Sequence, residues 1–363
     1  MHTDTSNYEL TSQTPEDSDT TVLHSKFRHS SPWFDYATWY RVHPNRVETT
    51  DDVLTLIATG ARHGIRTITV PGIAPDGDPR YRDRVLSKAQ QREIRILVDI
   101  SSEMYEAYGI ASPFSYENLT DLVHLWIESG ARGIELGNFS CFTDSQDITV
   151  FGTHRLASLE KLVNVLDPEA AISIGFPQIT DEILNAWLDT NFYNIVRAEF
   201  HIQDHTIESF TSYLQKTYAT FDQFNRMTTW NLRPDILNEA HHTLSASARV
   251  CIILALPGIV YFESKAMGYS PFTRHALRLR ETLALHNASI AVAHNSQPGV
   301  CHLLVGPIEI RINVERSEGE ILPPDCEILL SSSGNLPMAD DGTSRILPLG
   351  EVVWIDHRST SRS

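Results

Sequence analysis

From about Phe34 onward the chain alternates short β-branched runs with longer segments whose apolar residues recur every three or four positions. That alternation admits few folds. A strand, a helix and a parallel strand make one βα unit, and a succession of such units closes a barrel or builds a doubly wound sheet.

The runs are Tyr36 to Val42 (YATWYRV), Ile65 to Val70 (IRTITV), Ile94 to Ile100 (IRILVDI), Gly133 to Leu136, Ala170 to Gly175 (AAISIG), Tyr193 to Phe200 (YNIVRAEF), Met227 to Asn231 and Arg249 to Leu256 (RVCIILAL). Pro257-Gly258 closes the last of them. Helical periodicity lies between. Thr49 or Thr50 is placed to cap a helix that Gly64 ends, and further helices are expected over Arg82 to Gln91, Ser115 to Ser129, His154 to Leu166 and Thr206 to Phe221. In the helix from Ser115, Leu119, Leu122, Leu125 and Trp126 fall on one face. Eight units in about 230 residues match a (β/α)₈ TIM barrel, which typically takes about 250. A doubly wound sheet needs fewer strands, and the chain has no GxGxxG or GxxxxGK turn to mark a nucleotide site.

After a helix over Phe272 to His286 the pattern changes. Ala288 to His294, Cys301 to Val305, Glu309 to Val314, Cys326 to Ser331 and Glu351 to Ile355 are short runs separated by Gly, Pro, Asn and Asp. They predict a C-terminal antiparallel β-sandwich domain. The expected organisation is a flexible leader over 1–30, rich in Ser, Thr and acids, a barrel over 31–286, a β-domain over 287–357 and a tail over 358–363.

Composition narrows the function. With 46 acidic and 29 basic side chains the formal charge is −17, and no basic block stands out, which excludes a nucleic-acid backbone as partner. No stretch of about 18 apolar residues is present, so no membrane span is expected. Cys141, Cys251, Cys301 and Cys326 lack CxxC spacing. Neither a metal site nor a cofactor is expected, and a cytoplasmic protein with free thiols follows.

Several blocks then resemble one family, the α-amylase family of glycoside hydrolases (family 13). WFDYATWYRVHPNRV resembles its first barrel strand, and GDPRY with LSKAQQREIRILVDI resembles the approach into its third. HLWIESGARGIELG is similar to its fourth-strand block, LPGIVYFESKAMG to its eighth, and RHALRLRETLALH to the following helix. The resemblance covers about residues 33 to 357 and implies a barrel with a C-terminal β-sandwich. It also implies two carboxyls about 5–5.5 Å apart, a nucleophile and an acid/base. Here those positions are vacated. The nucleophilic Asp falls on Gly137, with Glu135 where the family has Arg, and the acid/base Glu falls on Phe176. The third-strand block keeps Asp99, but its Asn-His pair falls on Glu103-Met104, and the seventh-strand Asn-His-Asp falls on Asn231-Leu232-Arg233. Only about fifteen residues, Ser101 to Ser115, stand where family members carry a longer insertion after the third strand. The resemblance therefore implies a member without glycosidase chemistry, a kind the family contains, the heavy chains of amino-acid transporters among them.

Other chemistry at the carboxyl ends of the strands is open to Asp99, Glu135, Glu199 and His201, as an acid/base set or a cation site. Against this, Glu135 is equally suited to pair with an arginine such as Arg197, and His201, Asp204 and His205 to be ordinary loop residues. Adjacent His241 and His242 point about 100° apart on a helix and do not form a ligand pair. Cys141 has no histidine at an interpretable spacing and reads as a plain thiol. Tyr40, Tyr81 and Trp230, with Trp39 and Tyr261, are candidates to stack on sugar rings, or else core residues. The expected partner is an α-glucan or oligosaccharide, or another protein.

Overall fold

The structure is a computed structural model and describes residues 20–26, 33–109, 116–138, 151–175, 184–185, 188–189, 195–199, 206–232, 244–262, 271–294 and 298–356. A first strand, β1 (Thr20–His24), belongs to the C-terminal sheet. The next eight close a parallel barrel: β2 (Thr38–Arg41), β3 (Thr67–Pro71), β4 (Arg95–Asp99), β5 (Gly133–Asn138), β6 (Ala171–Gly175), β7 (Ile195–Glu199), β8 (Thr229–Leu232) and β9 (Ile259–Phe262). Closure is direct. Trp39 on β2 lies opposite Thr67 on β3 and Tyr261 on β9.

Local chemistry sets the helices. α1 (Thr50–Arg62) opens on a capping box, in which the Thr49 hydroxyl accepts from the Asp52 amide at 3.2 Å and the Asp52 carboxylate accepts from the Thr49 amide at 3.0 Å. α2 (Tyr81–Gln91), α3 (Ser102–Ala107), α4 (Tyr116–Glu128), α5 (Phe151–Leu166) and α6 (Ile207–Gln223) follow. Their apolar stripes, with Ile57, Val85, Val123, Val163 and Leu214, pack on the outward side chains of the strands in one continuous core.

The run Arg249 to Leu256, expected as the eighth strand, is a helix. α7 (Ala246–Ala255) starts on Ser245, whose hydroxyl accepts from the Ala248 amide at 3.1 Å, and the barrel strand is instead Ile259–Phe262, beyond Pro257-Gly258. The reason lies in burial. Every residue from Ala248 to Ala255 is buried, so beyond Arg249 the run is apolar on all sides and shows neither period. α7 packs against β8, α8 (Pro271–Thr282) and the C-terminal sheet.

That sheet runs in the order β1, β10 (Ile290–Ala293), β11 (Val300–Val305), β12 (Ile308–Asn313), β16 (Val352–Asp356) and β14 (Ile328–Ser331), antiparallel throughout. β13 (Glu320–Ile321) and β15 (Ile346–Leu347) form a separate ribbon, and Leu322, Leu336 and Leu347 pack there on Val353 and Ile355. Thr20–His24 lies within the segment expected to be a flexible leader, and is instead an edge strand on β10. A pattern of five residues flanked by Ser, Thr and acids carries too little apolar signal to be read as a strand. What holds it is tertiary: His24 is buried, stacks on Tyr218 with ring centroids 5.2 Å apart, and bonds the Asp222 carboxylate of α6 at 2.7 Å.

Candidate active site

In a strand successive side chains alternate between faces, so each barrel strand sends one set to the helices and one to the lumen. Tyr40, Ile68, Val98, Ile134, Ile172, Trp230 and Val260 belong to the helix-facing core. The lumen holds Trp39, Leu97, Ala171, Ile195, Ile259 and Tyr261 as its apolar floor. Above the floor the alternation places Arg41, Thr69, Asp99, Glu135, Ser173 and Asn231, all buried. Branched aliphatic side chains ordinarily dominate these layers. Burying groups this polar costs free energy unless they are bonded internally; the Ser173 hydroxyl has no partner among the described residues, but the carboxylates are bonded.

Asp99 is bonded so. Its Oδ2 accepts from Arg41 Nε at 2.8 Å and its Oδ1 from the Ser101 amide at 3.0 Å. Arg41 also donates to Ser101 Oγ and Glu103 Oε2, both at 3.0 Å. The pair is nearly solvent-free, with side-chain exposures of 3% for Arg41 and 0% for Asp99. Glu135 is held from two sides: Oε1 accepts from the Gly137 amide at 2.8 Å and Oε2 from the Tyr261 hydroxyl at 3.0 Å. Tyr261 also reaches Thr69 Oγ1 at 3.4 Å and stacks on Trp39, which stacks on Trp33 below. Burial, with the Asp99 charge second, pushes the Tyr108 phenol up, so it stays protonated beside the ion pair.

Gly137, where the resemblance places a nucleophilic carboxylate, adopts φ +62°. A Cβ there would lie 2.3 Å from Ser101 Cβ. Neither the left-handed backbone nor the space admits an ordinary side chain.

Asp99 and Glu135 are brought together, as register partners on adjacent strands. Glu199 lies opposite Asn231 on β8, but its side chain, like that of Arg197, lies outside the described residues, as do Phe176, His201, His241, His242 and Cys141. Tyr40, Tyr81 and Trp230, named as candidates to stack on sugar, are core residues with exposures of 3%, 3% and 0%. Tyr81 donates to the Pro71 carbonyl at 2.8 Å and Trp230 to the Pro257 carbonyl at 2.7 Å, so their polar atoms serve backbone turns. Arg41 went unnamed from sequence. The signal was present: it stands two residues from Trp39 and so shares its face, where a charge requires a partner.

No protein-family model and no curated protein matches the chain by sequence. Solved structures do match in fold. Eubacterium rectale Amy13B aligns with TM-score 0.64 at 10% identity, over 90% of this chain and 97% of its own. Trehalose-6-phosphate hydrolase of Bacillus licheniformis gives 0.61 at 9%, over 90% and 100%. The α-amylase of Geobacillus thermoleovorans, solved in complex with acarbose, gives 0.58 at 12%, over 90% and 100%. These neighbours are α-amylase-family enzymes. The chain has their fold, a (β/α)₈ barrel followed by an antiparallel sheet.

Proposed function

We propose that this protein is a divergent member of glycoside hydrolase family 13 that has lost glycosidase chemistry and serves carbohydrate metabolism as a sugar-binding or interaction protein. The observation that carries this is Gly137. At the position of the expected nucleophile stands a residue with φ +62° and no room for a Cβ, while the neighbouring carboxylates are engaged by Arg41, Tyr261 and backbone amides. A fold hosts many chemistries, and the site decides among them.

A cytoplasmic setting accords with the thiols, since Cys251, Cys301 and Cys326 are unpaired. Among the described residues no helix is long and apolar enough to cross a membrane.

The test is hydrolysis of p-nitrophenyl α-glucoside and maltooligosaccharides by the full chain. No release of nitrophenol or glucose is expected. Turnover that is abolished by Glu135→Gln would overturn the proposal in favour of an enzyme with a relocated carboxylate site at Asp99, Glu135 and Glu199. Pull-down of a defined protein without sugar binding would select the interaction role.

A further inference from the structure

A cavity of about 720 Å³ lies at the opposite end of the barrel, between α2 and the turn after α4, where β4 and β5 begin. Its volume is within the roughly 300–1,000 Å³ of small-molecule sites. Leu86 and Ile94 are among its apolar side chains, and Asp83, Gln90, Glu93, Arg95 and Arg132 line it. Two of these cations are held in place from outside. Arg132 donates to Asp167 at 2.8 Å and to Glu169 at 3.0 Å, and the Arg95 guanidinium sits 4.9 Å above the centre of the Trp33 ring.

The chemistry of this lining selects a ligand class. Cations are matched by acids, so it favours no net charge: a bare anion would meet Glu93, and an apolar molecule would strip water from the guanidinium groups without replacing its hydrogen bonds. A ligand suited to it offers both donors and acceptors around its edge and apolar C–H faces to Leu86 and Ile94. Sugar hydroxyls do both.

We propose that this cavity is the carbohydrate-binding site of the protein, taking a neutral oligosaccharide. This rests on the sugar-binding role proposed above. Titration calorimetry of the full chain with maltotetraose tests it. Saturable binding is expected, weakened about tenfold or more in Arg95→Ala and in Glu93→Gln, the equivalent of one or two hydrogen bonds. Glu93 is exposed on a turn, so the second variant stays informative if the first unfolds. Binding of unchanged affinity in a folded Arg95→Ala or Glu93→Gln protein would overturn the cavity assignment and leave the sugar-binding role standing. No binding of maltotetraose by the unaltered chain at millimolar concentration would overturn both.

Discussion

Two residues decide the character of the barrel mouth. Arg41 and Asp99 form an ion pair removed from solvent, and desolvating both charges is repaid only because each guanidinium nitrogen and each carboxylate oxygen makes a hydrogen bond. Removing one partner is therefore costly. Asp99→Asn is expected to lose about 3–5 kcal/mol of unfolding free energy, measured by urea titration. The same change in a purely catalytic acid would leave stability level or higher. Gly137 supplies the second prediction. A non-glycine residue in left-handed backbone costs about 1–2 kcal/mol before any collision is counted, and here Ser101 stands in the way. Gly137→Asp is expected to lower stability by at least about 2 kcal/mol and to gain no hydrolysis of an α-glucoside. A stable, hydrolytic Gly137→Asp protein would show that the mouth is one substitution from an active site.

At the last strand of the barrel the elements are tied by buried polar contacts. Arg280 on α8 donates to the carbonyls of Leu254 and Leu256, each at 2.7 Å, and to Gly258, bracing the end of α7 and the turn into β9. Beside it, in the turn Leu285–Asn287, burial together with the charges of Arg280 and Lys26 pulls His286 down to about 4. The sign follows from linkage. An unfolded histidine takes up its proton near 6.5 and the folded one only near 4, so between those values the unfolded chain binds more protons and stability falls as pH falls. Above pH 6.5 this group contributes no slope. Melting temperatures recorded from pH 7.5 to 4.5 should decline less steeply in His286→Gln than in the unaltered protein, and equal slopes would refute the assignment.

For the whole molecule, β1 matters beyond its length. It covers the edge of β10 and bonds α6 through His24 and Asp222, so a segment from before the barrel fastens the C-terminal sheet to the barrel's helical layer. Deletion of residues 1–26 should lower the melting temperature and expose an unpaired edge that promotes self-association, visible by light scattering. Unchanged melting and a monodisperse profile would mean that β1 is dispensable. The architecture itself was legible in the alternation of runs, because strands such as Ile94 to Ile100 are apolar where they must be buried; in α4 Leu119 and Trp126 are buried as read, whereas Leu125, read on the same face, is exposed. Asp99, Glu135 and Gly137 could also be placed at strand ends from order alone. Three things were beyond reach of the chain read linearly. A helix buried all round, Arg249 to Leu256, has no period to read. A strand as weak as Thr20–His24 forms only because β10 and α6 receive it. Whether a carboxylate is free to react depends on which groups closure brings beside it: Arg41 is 58 positions from Asp99, and Tyr261 is 126 from Glu135. The sequence by itself determined the layers and that residue 137 is a glycine and carries no carboxyl, since burial patterns and residue identities are local properties. Only the tertiary structure decided the pairing of the remaining charges, because those partners meet only once the eight strands close.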